Sequence, residues 1–497
     1  MKKAKNLLCV SLFCAMLLQC AACGSGSTGT DAQNSDTTAD ASSSDMEQIE
    51  YTVPDVDYGG RTVTMTGYDY DGAWVILRYN VALEEENGDF INDAIVKRNR
   101  AVEEALNVKI DLIPLTVDDR GSSAVLQKYI MAQEDVVQVG MQMASGMSQL
   151  LTTEGMLVNL PDIPTLDLSH SWWNQNANKE YTLYGKQLTA VGDVCLYNLG
   201  SPVVIYFSKV LVENNKLDNP YQLVYDGKWT FDTLQKMSAS IANDINGNSE
   251  IDADDIFGFA GEGASMDYFF YSSGIRYSTR DNDGKIQIAI NTEKSVDLAV
   301  KAVNFLLDEK TTIFNNNWAD IFTTSVFTEF MMPKLMENEL LFFSNQLHVA
   351  LNLRTMETNF GILPMPKYDE TQTDYVAFGN AAFCDHIVVP STNTDLEMTG
   401  HFLEAMSYYA QQYITPAFID VSVKDKAARD EDSVNMINLI REKQTFDVGF
   451  IFNWGAIRKN LQNLAYKNNT NFASMWAGIE SAVYTELEKT ESMLKGE

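Results

Sequence analysis

The feature that most constrains the fold of this chain is an alternation of strand patterns with amphipathic helix patterns. Residues 61–66 alternate polar and apolar side chains with a period of two, which predicts a strand. Further strand patterns lie at residues 108–113 and 136–139, and helix patterns lie between the strands at residues 89–106 and 122–133. This spacing predicts βαβ units, so we expect an α/β fold with a mostly parallel sheet.

A second stretch of the same character begins after residue 203. Thr230 is placed to cap the helix that follows it, and residues 340–343 and 387–389 predict buried strands. The final helix is predicted at residues 475–494. The pattern at residues 292–307 predicts a helix that buries Val296, Ala299, Val300, Val303 and Leu307. The chain is therefore predicted to contain two α/β lobes.

The composition fits a large globular protein that does not bind nucleic acid. The 497 residues are enough for two domains, and 45% of them are hydrophobic. The chain has 36 Lys and Arg residues against 68 Asp and Glu residues, which gives a net charge of −32. Binding to a phosphate backbone rests on clustered Lys and Arg, so nucleic acid and anionic membrane surfaces are excluded as partners.

The N-terminus has the pattern of a bacterial export signal. Lys2, Lys3 and Lys5 precede an apolar run at residues 7–18, which is too short to span a bilayer and is typical of a secretory signal. The run ends in Cys20-Ala-Ala-Cys23, which resembles a lipobox although Cys20 stands where Leu is usual. We expect residues 1–22 to be removed and Cys23 to carry lipid. The alternative is ordinary cleavage nearby, with Cys23 discarded or left free.

Residues 24–50 are rich in Gly, Ser, Thr, Asp and Ala, with almost no aliphatic side chain. Such a segment buries too little surface to offset the entropy of ordering it, so it is predicted to be a tether. With the lipidated cysteine, residues 23–57 would hold the remainder of the chain close to the outer face of the cytoplasmic membrane.

Several motifs together resemble the extracellular solute-binding lipoproteins of ABC importers, family 1. These are the lipobox, LDLSHSWWN at 166–174, WTFD at 229–232, RTMETNFGILPMPKYD at 354–369 and NFAS at 471–474. The resemblance implies the two-lobed type II periplasmic-binding-protein fold, with a ligand cleft and a hinge that the chain crosses near residues 201–203, 375–377 and 413. Lobe one would comprise residues 58–200 plus 377–412, and lobe two residues 203–375 plus 413–497.

The same resemblance implies a function. The protein would be a monomer that binds an oligosaccharide between its lobes and delivers it to ABC transporter permease subunits by hinge closure. Its only contact with the membrane would be the lipid anchor. The alternatives are an exported polysaccharide hydrolase or lyase, and a lipoprotein that binds peptides or another solute.

Sugar sites combine aromatic platforms with carboxylate and amide groups, which directs attention to two segments. Tyr68, Asp69 and Trp74 follow the first predicted strand, at the sheet edge where α/β proteins bind ligands. The alternative for this segment is a solvent-facing turn. Trp172 and Trp173 are adjacent, so one of them, taken as Trp173, is expected to be exposed or to lie in the cleft. Packing of both against a loop remains the alternative.

Three further ligand-binding candidates belong to lobe two. Tyr268 lies in an aromatic run whose alternative role is core packing, and Asn345 follows a predicted strand. Trp454 lies where the resemblance implies a sugar-stacking tryptophan late in the chain.

Catalysis is poorly supported by the sequence. The four histidines lack the spacing of a zinc site, and there is no G-x-S-x-G nucleophile elbow, P-loop or G-x-G-x-x-G motif after a strand. We therefore expect a binding protein and not an enzyme.

A loop in lobe two follows the ligand schedule of an EF-hand and predicts a structural Ca²⁺ site. Its ligands would be Asp244, Asn246, Asn248, Glu250, Asp252 and Asp255, with Glu250 contributing its backbone carbonyl. Ser249 departs from the usual Gly at the sharp turn. The alternative is a polar surface loop that holds no ion.

Cys195 and Cys384 are the two cysteines outside the signal segment. They would form one disulfide bridge or two buried thiols, and we favour the thiols.

Overall fold

The computed structural model describes residues 51–68, 81, 83–116, 122–245, 247–379, 384–423 and 431–496. Its strands are β1 Arg61–Tyr68, β2 Val108–Leu115, β3 Val139–Met143, β4 Thr182–Leu183, β5 Lys186–Gln187, β6 Val203–Ser208, β7 Phe257–Gly261, β8 Ser278–Arg280, β9 Ile286–Ile288, β10 Thr312–Phe314, β11 Leu340–Gln346, β12 Phe360–Pro364, β13 Ala377–Phe378, β14 Asp385–Val388 and β15 Gln444–Thr445.

The helices are α1 Phe90–Leu106, α2 Ala124–Ala132, α3 Ser148–Thr152, α4 Gln175–Tyr181, α5 Tyr197–Gly200, α6 Lys209–Asn214, α7 Pro220–Tyr225, α8 Phe231–Ile241, α9 Ser265–Ser272, α10 Glu293–Leu306, α11 Asn315–Trp318, α12 Met332–Met336, α13 Ala350–Leu353, α14 Leu396–Tyr409, α15 Thr415–Val423, α16 Glu431–Glu442, α17 Val448–Phe452, α18 Ile457–Tyr466 and α19 Phe472–Lys495. In the part of the chain that the structure describes, no helix combines the length and apolar character needed to cross a membrane.

The first sheet has the strand order β14-β3-β1-β2, and we call it, with the elements packed on it, lobe one. β1 runs parallel to both β2 and β3, so the predicted parallel βαβ start is confirmed. β14 pairs antiparallel with β3 and returns to this sheet from far along the chain. The carboxyl ends of β1, β2 and β3 therefore meet at one edge.

The second sheet has the order β10-β7-β11-β6-β12, and we call it, with its helices, lobe two. β7 runs parallel to its two neighbours β10 and β11. β6 is antiparallel to β11 and β12. Parallel strands side by side place three carboxyl ends at one edge, which is where the candidate site lies.

Short pairings join the segments between the two sheets. β13 pairs with β15, and a single bridge links Pro202 to Gly379. Residues 202 and 379 lie close to two of the predicted crossings. The lobe boundaries themselves stay a prediction.

Two of the predicted helices, α1 and α8, begin directly after residues that cap them. Asp89 accepts hydrogen bonds from the backbone N–H groups of Ile91 and Asn92 at the start of α1. Thr230 caps α8 as predicted, by accepting a bond from Thr233 N. Such caps satisfy backbone donors that the first helical turn leaves unpaired.

The sequence-based prediction of the buried face of α10 was right for Ala299 and Val303 and wrong for Val296 and Val300. The helix buries Leu298, Ala299, Ala302, Val303 and Leu306, whereas Val296 and Val300 are each 39% exposed. Counted from Leu298, the buried positions are i, i+1, i+4, i+5 and i+8, which is one helical stripe. The two β-branched residues lie outside that stripe.

Candidate functional site

The carboxyl edge of the lobe-two sheet carries a group of polar side chains. Glu262 follows β7, Asn315 follows β10, and Asn345 lies near the end of β11. Since the three strands are parallel neighbours, these residues come together although they are far apart in sequence. This is the edge at which open α/β sheets bind ligands.

These residues line a cavity of about 240 Å³. Its polar lining includes Glu262, Asn315, Ser325, Asn345, Gln346 and His348. Phe327, Met331 and Phe343 form an apolar wall on the same cavity. A cavity that combines an apolar wall with several hydrogen-bonding groups is suited to a polyhydroxylated ligand, whose C–H faces pack on the wall.

Glu262 is the acidic group of this cavity, and its environment orients its carboxylate. The Tyr268 hydroxyl and the Asn315 side chain lie beside it and favour its charged form. Burial raises the pKa of Glu262 above its usual value, and the nearby Arg458 guanidinium opposes that shift. A carboxylate has about four acceptor positions, so Glu262 retains acceptors for the hydroxyl groups of a ligand.

Asp267 is a second acidic residue that interacts with Arg458. Arg458 Nε lies 3.8 Å from Asp267 Oδ2, and its guanidinium lies over the Phe450 ring at 4.8 Å from the centroid. Asp267 also accepts a hydrogen bond from Gln462 at 2.6 Å. These contacts hold the Arg458 guanidinium, whose positive charge lowers the pKa of Glu262.

His348 lines the cavity and also contacts the segment before residue 202. It is buried, and its Nδ1 lies 3.4 Å from the carbonyl oxygen of Gly200. Its ring centroid lies 5.2 Å from that of Tyr197. A ligand at the β11 edge would thus lie close to the segment that precedes the predicted crossing near residues 201–203.

Two predicted ligand residues, Tyr268 and Asn345, are brought to this site. Asn345 lines the cavity, and its Oδ1 accepts a hydrogen bond from Gln346 N at 2.8 Å. Tyr268 is buried in α9 and orients Glu262. Glu262 and Asn315 were missed, because they follow the short strands β7 and β10, which do not stand out from the sequence. His348 was missed although the strand before it was predicted at residues 340–343. The sequence feature that could have identified such site residues is a polar residue directly after a short apolar run.

The predicted lobe-one residues are described only in part. Tyr68 is buried at the end of β1 and packs with Leu115 and Met143. Its hydroxyl accepts a long hydrogen bond of 3.5 Å from Met143 N. Asp69 and Trp74 lie outside the described residues, so their proposed roles stay predictions.

The expectation that one of the adjacent tryptophans is exposed was wrong. Trp172 and Trp173 are 5% and 1% exposed, and each indole Nε1 donates to the carboxylate of Glu404 at 3.0 Å. The same carboxylate accepts from Asp167 N at 3.0 Å and faces His170 Nδ1 at 2.8 Å. One buried acceptor satisfies both indoles, so Trp173 is a packing residue of lobe one.

Trp454 is also buried in the core and does not lie on an accessible surface. It is 1% exposed, its Nε1 donates to Thr490 Oγ1 at 2.9 Å, and its ring stacks on Phe452 with centroids 5.5 Å apart. The prediction that Trp454 is a ligand platform is therefore corrected: it joins the end of α17 to α19.

The predicted calcium loop forms a turn held by its own carboxylates. Asp244 accepts hydrogen bonds from the backbone N–H groups of Gly247 and Ser249 at 2.7 and 2.8 Å. Ser249 adopts φ +66°, the left-handed conformation that Gly takes in an EF-hand turn. Asn246 lies outside the described residues. Within the described residues, no three His, Cys, Asp or Glu side chains form a group that could hold a metal, so calcium binding stays a prediction.

Cys195 and Cys384 are two free, fully buried thiols, as favoured from the sequence. The Cys384 thiol donates to Asn198 Oδ1 at 2.8 Å. Burial raises the pKa of both thiols well above the usual value, which keeps them protonated.

Comparison with solved structures places the fold. An ABC substrate-binding protein from Listeria monocytogenes in complex with cycloalternan is similar over 88% of this chain and 98% of its own, with 11% identity and a TM-score of 0.53. The cyclic alpha-maltosyl-1,6-maltose binding protein of Arthrobacter globiformis matches over 88% and 100%, with 13% identity and a TM-score of 0.54. UspC from M. tuberculosis matches over 86% and 100%, with 12% identity and a TM-score of 0.55.

No protein-family model matches the sequence, and no curated protein matches it. The structural likeness extends over most of the chain and over essentially all of each solved protein. The chain therefore has the two-lobed α/β fold of ABC substrate-binding proteins.

Proposed function

We propose that this protein is a lipid-anchored extracellular solute-binding protein that delivers an oligosaccharide to an ABC import permease. The observation that carries the proposal is the cavity at the carboxyl edge of β7, β10 and β11, with Glu262, Asn315 and Asn345 opposite an apolar wall. Proteins of the same fold bind cycloalternan and a cyclic maltosyl-maltose, which agrees with a saccharide ligand.

The mechanism follows from the position of the cavity. A ligand held by lobe two can also contact lobe one when the hinge closes, and only such additional contacts stabilise the closed arrangement. The cavity of about 240 Å³ holds part of an oligosaccharide, and the facing edge of lobe one would contact the remainder. The permease subunits, the anchor at Cys23 and the monomeric state belong to the same proposal.

Calorimetric titration tests the site with a panel of maltotriose, cellotriose, xylotriose and raffinose. The variant Glu262→Gln keeps the shape of the side chain and removes its charge. Hydrogen bonds to charged groups contribute about 1.5–3 kcal/mol, so affinity should fall roughly 10- to 100-fold. The matched control is Glu293→Gln, which changes an exposed residue at the start of α10 in the same lobe.

The result that contradicts the site is equal saccharide affinity for Glu262→Gln and Glu293→Gln. The competing function is cleavage of a polysaccharide by hydrolysis or by the elimination reaction of a lyase. It is tested on the same samples by chromatography of the saccharide after long incubation. Binding without shorter products supports a binding protein, and shorter products would establish the enzyme.

A further inference from the structure

One segment that belongs to lobe one lies against lobe two. It comprises residues 175–187, that is α4 with the β4–β5 hairpin, and we call it the clasp segment. Hydrogen bonds of 2.8 Å tie it to lobe one, from Asn178 Nδ2 to the Leu168 carbonyl and from Gln187 N to Asn159 Oδ1. The segment therefore moves with lobe one when the hinge opens.

Glu180, at the end of α4, is bound by two groups of lobe two. Arg276 Nη2 lies 2.9 Å from Glu180 Oε2, and Val448 N donates to Glu180 Oε1 at 3.1 Å. The Glu180 side chain is 13% exposed, so this ion pair is less screened than one on the surface. Arg276 is held in its own lobe, with Nε 4.0 Å from the buried Asp447 carboxylate.

The hairpin turn makes a second set of contacts with lobe two. Tyr184 adopts φ +50° in the turn, and its hydroxyl donates to the Glu491 carboxylate near the end of α19. Lys495 Nζ lies 5.0 Å from the centroid of the Tyr184 ring. Arg280 Nη1 donates to the Thr182 carbonyl at 2.5 Å. The clasp segment is thus held at both its helix and its hairpin.

We propose that the clasp segment is an interlobe latch, in which Glu180 with Arg276 and Tyr184 with Glu491 hold the lobes in the arrangement seen here before ligand binds. The inference rests on the proposed function, in which a ligand binds between two lobes that open and close. The apparent affinity for a ligand depends on the fraction of the protein whose lobes are already in the binding-competent arrangement. Because the latch changes the populations of the lobe arrangements, it changes the apparent affinity without contacting the ligand.

The test measures the lobe arrangement in ligand-free protein and therefore needs no knowledge of the ligand. Spin labels are placed on cysteines introduced at the exposed residues Asp111 in lobe one and Glu309 in lobe two. Cys195 and Cys384 are buried, so they do not take up the label, and the cysteines within residues 1–23 are replaced by serine. Pulsed dipolar spectroscopy on the full chain in detergent then gives the distribution of interlobe distances.

Glu180→Gln and Tyr184→Phe should each increase the ratio of long to short interlobe distances, by about three- to tenfold for Glu180→Gln. The matched control is Asp232→Asn, which breaks an ion pair of 3.3 Å with Lys301 inside lobe two and should leave the distribution unchanged. Tyr184→Phe removes a single hydroxyl from a half-buried turn, so we expect this variant to fold. It therefore tests the latch if Glu180→Gln does not fold.

Parental distance distributions in both clasp variants would overturn the latch, and so would an equal shift in Asp232→Asn. Either result leaves the proposed function standing, because saccharide binding is measured separately by calorimetry. Failure of every saccharide to bind, with the distances shifted as expected, would refute the proposed ligand while the latch remains.

Discussion

Trp173→Phe separates a packing role for this tryptophan from a role in ligand binding. The indole N–H donates at 3.0 Å to a Glu404 carboxylate whose side chain is 2% exposed. Phenylalanine removes one of several hydrogen bonds to that carboxylate, and a hydrogen bond to a charged group contributes about 1.5–3 kcal/mol. The smaller ring also buries less apolar surface, roughly 40 Å² or about 1 kcal/mol. The expected loss of unfolding free energy is therefore about 2.5–4 kcal/mol.

The matched control is Trp476→Phe in α19. Trp476 is 3% exposed, and its indole N–H also donates to a carboxylate at 3.0 Å, that of Glu480. Glu480 is exposed, so water replaces the lost bond and only the packing loss of about 1 kcal/mol remains. The unfolding free energies of the two variants, measured with urea, should therefore differ by about 1.5–3 kcal/mol.

Calorimetry completes this test on the same two variants. A packing role predicts that Trp173→Phe, once folded, binds its saccharide with parental affinity. Unchanged stability together with a loss of affinity for Trp173→Phe would refute this account and restore the tryptophan as a ligand platform.

Three further outcomes follow from the remaining features. Burial lowers the pKa of His386 from 6.5 to about 4, so its stabilising effect is present above pH 6.5 and is lost as the pH falls toward 4. Urea unfolding should show a loss of about 3 kcal/mol over that range that is absent in His386→Gln, and equal pH profiles would refute it. Addition of EDTA should lower the melting temperature and excess Ca²⁺ should restore it, while Asp244→Ala should be insensitive to both; identical melting of parent and variant in all conditions would remove the calcium site. Mass spectrometry of the membrane fraction should find a lipidated N-terminal Cys23, and an unmodified soluble N-terminus would contradict the anchor.

The sequence predicted the lobe-one start well because the physical pattern is local there. The period of two at residues 61–66 and the apolar stripe of α1 each lie within one element. The third strand was predicted at residues 136–139 and forms at Val139–Met143. Val136 is 39% exposed, so the apolar run begins before the sheet pairing does.

The site was less predictable because its parts come together only through strand order. Glu262, Asn315 and Asn345 belong to three strands whose adjacency is a property of the folded sheet. The two tryptophan predictions failed for a related reason. The partners that bury Trp173 and Trp454 are Glu404 and Thr490, and nothing local to either tryptophan identifies them.

The central claim is that a saccharide binds, unaltered, at the carboxyl edge of the lobe-two sheet. The most direct measurement is titration calorimetry of the parent, Glu262→Gln and Glu293→Gln with the saccharide panel, with chromatography of the recovered ligand. We predict saturable binding to the parent and to Glu293→Gln, binding roughly 10- to 100-fold weaker to Glu262→Gln, and intact saccharide afterwards. Absence of binding to the parent by every member of the panel, or equal affinity in all three proteins, would contradict the account.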